Sequence, residues 1–289
     1  MASTYGTQEG EQIQQPPRTA AGVPGVPGVP GVPGADGEAH VWWWQPPARL
    51  IPADLALLGT EEFRRVLSLP AERDAAAFTH HRAEARRALA GLLGIAPQSV
   101  ELGRYRCPGC GDFGHGPPRI VSPPRAARLA ISMSRTADRG VFAVGAGTTI
   151  GVDVEKVIPM REASLSGSVL TENESSHLLT LPAGPVRDAG FHRVWTRKEA
   201  VVKAAGIGLV GTVLNRLETW PAHQGPVSVL HTYAGRTTAW AVQDLRLHDK
   251  VAAAVARPQG DRAQGPVHIH SAPHSETPTA SDPEGNRRT

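Results

Sequence analysis

The chain has 289 residues, 40% of them hydrophobic, and carries a formal charge of +3. That length can bury one sizeable core or two modest ones. So small a charge, with no Lys/Arg stripe interleaved with aromatics, gives no nucleic-acid footprint. No apolar run reaches the roughly eighteen residues of a membrane span, and the N-terminus lacks a basic-then-apolar signal pattern. Two cysteines do not make a disulfide framework. The expectation is a cytoplasmic monomer with no nucleic-acid or membrane partner, still able to meet an acidic protein.

Residues 1–40 are polar and Gly/Pro-rich, with Gly-Val-Pro repeated between Gly22 and Gly34. Four such triplets are too few for a collagen helix, and an unfolded tether is expected. Val41 to Trp44 reads as a first strand, and alternating indoles on a strand fill a core more often than they stack on a ligand. Asp54 to Leu67 and Ala71 to Leu93 read as helices, the second stopped by Gly94. Strands are expected over Val100 to Tyr105, Leu129 to Ser132 and Gly140 to Val144. A comparable second half follows: strand Thr149 to Glu155, helices Thr171 to Leu179 and Phe191 to Ala205, then strands near Leu214 to Thr219, Val227 to Thr232 and Thr237 to Val242. Thr171 with Glu174 is a capping-box pattern, and Gly206 a left-handed stop. The tail 257–289 has no apolar period and reads as disordered. The predicted fold is therefore α+β, with two similar halves over 41–144 and 145–256 between unfolded tails.

Two segments carry the chemistry. In Gly151-Val152-Asp153-Val154-Glu155, strand alternation puts Asp153 and Glu155 on one face and the valines on the other. In Trp195-Thr196-Arg197-Lys198-Glu199-Ala200-Val201-Val202-Lys203, helical spacing stacks Trp195, Glu199 and Lys203 on one face. Packed side by side, the two segments bring together three carboxylates and an ammonium. Such hard oxygen ligands suit Mg²⁺, which takes a few carboxylates plus phosphate oxygens and water. Asp153, Glu155 and Glu199 are the expected metal ligands, and Lys203 the phosphate contact. Glu199 is also the candidate base, because crowding raises the proton affinity of one carboxylate. Lys198 either makes a second phosphate contact or points to solvent. Taken alone, Glu199 and Lys203 could be no more than an exposed helix pair.

These residues resemble the signature of the 4′-phosphopantetheinyl transferases of the surfactin-synthetase-activating type. That signature is a G-[IV]-D-[IVL]-E strand followed further on by W-[ST]-x-K-E-[AS]-x-x-K; here Asp153 and Glu199 lie 199 − 153 = 46 positions apart. The resemblance runs from about Leu50 to Val255, and a Gly206-Ile207-Gly208-Leu209 tail extends the match. It implies a pseudo-two-fold fold with coenzyme A between the halves. The implied reaction is Mg²⁺-dependent transfer of 4′-phosphopantetheine from coenzyme A to a serine of an acyl or peptidyl carrier protein, releasing adenosine 3′,5′-bisphosphate. It also implies coenzyme contacts near Arg73, Arg82, Ser132, Met133, Asp153 and Lys203. Two positions depart from the pattern. Met133, in Ile131-Ser132-Met133-Ser134, stands where the family has a histidine facing the 3′-phosphate. Gly116-Pro117-Pro118 replaces G-[KR]-P. Arg119 and Arg135 join Arg73 and Arg82 as candidates to make up the lost charge. The alternative is a non-catalytic relative that binds carrier or coenzyme without turnover.

Cys107-Pro108-Gly109-Cys110 followed by His115 could bind zinc only with a fourth ligand, which His80 or His81 would have to supply. A tight turn without metal is the expected arrangement. The twelve histidines are scattered along the chain, several of them in the tail, and no metal cluster is claimed from them. In the family the link 159–189 forms much of the carrier-docking surface; Leu165, Val169, Leu170, Leu178 and Leu179 could serve it or pack on the sheet.

Overall fold

The structure is a computed structural model that describes residues 37–108, 110–114, 116–147, 149–160, 167–260 and 265–271. Its elements run β1 (Ala39–Trp44), α1 (Pro52–Leu55), α2 (Thr60–Leu67), α3 (Glu72–Leu93), β2 (Glu101–Arg104), β3 (Pro118–Ser122), β4 (Leu129–Arg135), β5 (Gly140–Ala146) and β6 (Gly151–Lys156). They continue with α4 (Glu172–Thr180), α5 (Pro185–Ala205), β7 (Val227–Tyr233), β8 (Arg236–Asp244), β9 (Val251–Pro258) and β10 (Val267–Ser271). Two four-stranded sheets result, ordered β10-β1-β5-β4 and β6-β9-β8-β7, with β2 and β3 forming a separate hairpin.

Each four-stranded sheet carries one long helix. The 22-residue α3 is alanine-rich and buries Ala85, Leu89 and Leu93 against Trp44, Ile131 and Phe142. It stops at Gly94, whose φ of 64° is left-handed backbone that favours glycine. The 21-residue α5 starts with Pro185 in its first turn and stops at Gly206, φ 74°. It buries Ala200, Val201 and Ala204 against Val229, Trp240 and Ala254. A third cluster joins the two sheets: Val152 and Val154 pack with Val41, Val141, Ala143 and Val255. The valines of the acidic strand thus face the core, as alternation requires.

Several elements differ from the sequence expectation. The helix expected over 54–67 is two, broken at residues 56–59, with Gly59 capped by the side chain of Glu62 (N–H to Oε2 3.1 Å). No strand forms over 214–219. Leu214–Arg216 is a 3₁₀ turn, and the carbonyls of Leu214 and Leu217 face the ammonium of Lys198 rather than a ladder partner. β3 begins on a proline, which masked it. β9 reads Val-Ala-Ala-Ala-Val-Ala-Arg-Pro, weak in strand-forming residues, yet it is a central strand whose small side chains let α5 pack closely. The largest correction concerns the C-terminal tail. Residues Val267–Ser271, expected to be unfolded, form β10 and pair in parallel with Ala39–Trp43. Arg257 anchors the approach, donating from Nη1 to the carbonyls of Gly37 (2.6 Å) and Gly265 (2.8 Å). A parallel partner needs no hairpin turn, so the local sequence carries no turn signal for it.

Candidate functional site

The site begins with a glycine. A Cβ built on Gly151 would stand 1.9 Å from the carbonyl oxygen of Ala200 and 2.5 Å from the nitrogen of Ala204. Both are helix backbone atoms that cannot swing aside. Glycine is what lets β6 lie directly against α5, and that contact sets Asp153 beside Lys203. The lysine Nζ is 2.6 Å from Asp153 Oδ1. Ser134 donates its hydroxyl to the same oxygen at 2.7 Å. Asp153 is 2% exposed, and its Oδ2 is buried without a hydrogen-bond partner.

The two other carboxylates are close enough to feel this charge. Burial, and then the nearby Asp153, push Glu199 up to about 7, with Glu155 adding and Lys203 opposing. Glu155 is raised by burial and by Asp153, against a hydrogen bond from the indole of Trp195. The four acidic and basic residues expected from sequence are therefore brought together. The isolated helix pair is not formed, because Lys203 pairs across to Asp153.

The other face of α5 holds the helix in place. Lys198 is fully buried, paired with Glu174 at 2.7 Å, and donates to the carbonyl of Leu214 at 2.8 Å. Glu174 also closes the capping box on Thr171 and accepts from the N–H and hydroxyl of Thr219. Arg197 makes two 2.7 Å bonds to Asp244 and a third of that length to the Thr219 carbonyl. Lys198 is thus neither a phosphate contact nor a solvent-facing group. At about 100° per residue, positions 195, 199 and 203 fall on one side of the helix while 197 and 198 turn away.

A cationic cluster lies beside the carboxylates. Arg82 of α3 donates to Met133 Sδ at 3.1 Å, and its guanidinium stands over Phe78 with Arg135 on the same ring. Arg82 is pushed down to about 10, first by burial, then by Arg104, Arg86 and Arg135 against the pull of Glu62. Arg104 donates to the Gly116 carbonyl at 2.8 Å, so a cation stands next to the Gly-Pro-Pro turn that lacks one. His81 ties this cluster to the acidic side. It is buried and held well below its usual range, by burial first and then by Arg82, Arg135 and Lys203. Its neutral imidazole does not supply the charge missing at Met133.

The remaining expectations separate. Ser132 is 3% exposed and accepts the Val152 N–H at 3.0 Å, a stitch between β4 and β6. Arg73 is exposed in the first turn of α3. Nine residues of helix place it on the opposite side from Arg82 and about 13 Å along the axis, so the structure does not bring it alongside. Arg119 is exposed, over the Tyr105 ring at 5.6 Å. Ser134, Arg104 and His81 were missed by sequence reasoning. Only Ser134 had a signal, being two residues from Ser132 on one strand. Cys107 sits in a tight turn, its N–H on the Asp112 carbonyl and its own carbonyl accepting from Gly111; His115 lies outside the described residues. Leu170 and Leu178 pack with Val194, Leu179 is exposed, and Leu165 lies outside the described residues.

Whether Mg²⁺ suits this donor set is decided by Asp153 and Glu199. A buried carboxylate oxygen without a partner, beside a glutamate pushed up for want of a counter-charge, is what an oxygen-liganded cation would satisfy. The three carboxylates do not draw within 4.8 Å of one another. Among the described residues the set that does is Glu38, His40 and His268, a group that was not claimed from the sequence. A cation at Asp153 would use one or two carboxylates and complete its shell from phosphate and water, as Mg²⁺ does. Next to a guanidinium cluster, such an arrangement can receive a phosphate-bearing anion.

Comparison with known proteins points the same way. Residues 149–256 match the ACPS family, described as the 4′-phosphopantetheinyl transferase superfamily. The chain is similar to the 4′-phosphopantetheinyl transferase HetI of Nostoc sp., 27% identical over 225 residues, 76% of this chain and 87% of the relative. It is also similar to a Synechocystis sp. protein named provisionally as a 4′-phosphopantetheinyl transferase, 27% identical over 178 residues, 60% of this chain and 67% of the relative. No helix among the described residues is long and apolar enough to cross a membrane.

Proposed function

We propose that this chain transfers 4′-phosphopantetheine from coenzyme A to a serine of an acyl or peptidyl carrier protein, and that it is of the surfactin-synthetase-activating type. The observation that carries this reading is the buried, half-unpartnered Asp153 with Lys203 at 2.6 Å and Glu199 pushed up to about 7 beside it. A sheet and a long helix in each half support the pseudo-two-fold arrangement with coenzyme A between them.

Asp153, joined by Glu155 or Glu199, would hold Mg²⁺, which supplies neutralisation of the diphosphate charge as the leaving group departs. Lys203 offers a point charge to the same phosphates. Arg82, Arg104 and Arg135 form the cationic wall that would take the 3′-phosphate in place of the absent histidine at Met133. A base whose proton affinity lies near neutral pH is well matched to accept the proton of the carrier serine, and Glu199 has that property where Asp153 and Glu155 hold the ion and leave it unligated. The serine oxygen then bonds to the phosphorus that bears pantetheine. The bond from that phosphorus to the bridging oxygen breaks, releasing adenosine 3′,5′-bisphosphate.

Incubating the chain with coenzyme A, Mg²⁺ and a panel of fatty-acid, polyketide and peptide apo-carriers tests this. Adenosine 3′,5′-bisphosphate should appear with at least one carrier and not with the same carrier lacking its serine. No release with any carrier would overturn the proposal and leave the non-catalytic relative.

A further inference from the structure

We propose a second cation site, for a divalent transition metal, formed by Glu38, His40 and His268 where β10 pairs with β1. One ligand atom from each residue lies within 4.8 Å of the other two. The placement follows from strand geometry. Glu38 immediately precedes β1 and lies two residues from His40, the spacing that returns an extended chain to one face, while Ala39 and Val41 are buried on the other. His268 is the parallel register partner of His40, and the two rings stack with centroids 4.9 Å apart.

His40 supplies the second observation. Its Nε2 is buried with no hydrogen-bond partner, while its Nδ1 is 3.0 Å from Nε2 of His270. In the tautomer protonated at Nδ1, His40 donates to His270 and leaves a bare lone pair on Nε2. An imidazole with one nitrogen hydrogen-bonded and the other free is the usual arrangement of a metal-binding histidine. His270 is held for that task, stacked on Trp42 at 4.9 Å.

Two imidazoles and one carboxylate favour Zn²⁺ and its neighbours over Mg²⁺ or Ca²⁺. Three protein ligands leave a tetrahedral ion one position for water. The site is separate from the one around Asp153. His40 lies two strands from β4, the strand that meets Asp153, about 10 Å across the sheet at ordinary strand spacing. Its role would be to lock the C-terminal strand onto the first one, joining residues 268 − 40 = 228 positions apart. The other occupation of these atoms is a metal-free stack of neutral rings.

Isothermal titration of tag-free, chelator-stripped full-length protein with ZnCl₂ tests this, with melting curves alongside. We expect one equivalent to bind saturably and to raise Tm. His270→Ala should weaken binding about 10–100-fold, as loss of a hydrogen bond behind a ligand does. The double variant His40→Gln, His268→Gln should lose the stoichiometric binding, and Asp153→Ala should keep it. If the double variant folds poorly, Co²⁺ absorption of the wild-type chain decides: a tetrahedral nitrogen/oxygen spectrum at one equivalent supports the site. No saturable binding by wild type, or undiminished binding by a folded double variant, would overturn it.

Discussion

Glu199 bears the least stable charge in the site, because burial and Asp153 both act against its ionised form. A carboxyl whose proton affinity is raised on folding binds more protons in the native than in the unfolded state between its two values. Stability therefore falls as pH rises through that window, here from the ordinary 4.5 to about 7. Melting curves without Mg²⁺ should carry this as a downward slope in Tm across that range relative to Glu199→Gln. Buried histidines such as His81, whose lowered proton affinity acts in the opposite sense, are common to both. Saturating Mg²⁺ should flatten the slope, and Glu199→Gln should remove most of it. A slope unchanged by both would mean that Glu199 is not the group responsible. The two lysines of the same motif should part equally clearly. Removing Lys198 strands Glu174 in the interior, and breaking a fully buried pair costs about 3–5 kcal/mol. Lys198→Ala should lower urea stability by that order, whereas Lys203→Ala, which removes a lysine 29% exposed from its pair with Asp153, should abolish transfer at a smaller cost in stability. In the sequence both are simply lysines of one helix. Five residues apart, they take opposite roles because the strand lies on one side of α5 and the 214–219 turn on the other. Asp153, Glu155, Glu199 and Lys203 were legible because period-2 and period-3.6 spacing place them without tertiary information. Arg104 and His81 were not, since only the packed fold carries the first to Arg82 and the second to Lys203.

At the scale of elements, the seat of α5 on β6 is the contact on which the geometry depends. Gly151→Ala places a methyl against the Ala200 carbonyl and the Ala204 nitrogen, so strand and helix must separate. Overpacking of this kind costs about 1–3 kcal/mol. We expect a lower urea midpoint together with a loss of turnover larger than that of a surface variant of equal stability. Near-normal turnover would show that the Asp153–Lys203 distance does not depend on this contact. Elements with strong local chemistry were legible: the Thr171–Glu174 capping box, the helix end at Gly94 and the left-handed stop at Gly206 all form as expected. β3 and β9 were not. A proline opens the first and alanines fill the second, and in both cases tertiary pairing overrides weak local preference.

At the scale of the whole molecule, the described C-terminal region does not end with the second sheet. β10 returns to the edge of the first sheet, held by Arg257 and by its register with β1. Truncation after Pro258 should therefore lower Tm, and truncation after Ser271 should not, since the residues beyond lack any apolar period. Equal melting of the two would show that β10 adds nothing to stability. The Gly-Val-Pro repeats, expected to be a tether, lie outside the described residues.

The most direct measurement of the central claim is the intact mass of an apo-carrier protein incubated with coenzyme A, Mg²⁺ and either the wild-type chain or Asp153→Ala. The wild-type chain should add one phosphopantetheine to the carrier serine. The variant, melting as a folded protein, should add none at any Mg²⁺ concentration. Modification by Asp153→Ala at the wild-type rate, with the same Mg²⁺ dependence, would contradict the assignment of the reaction to this site.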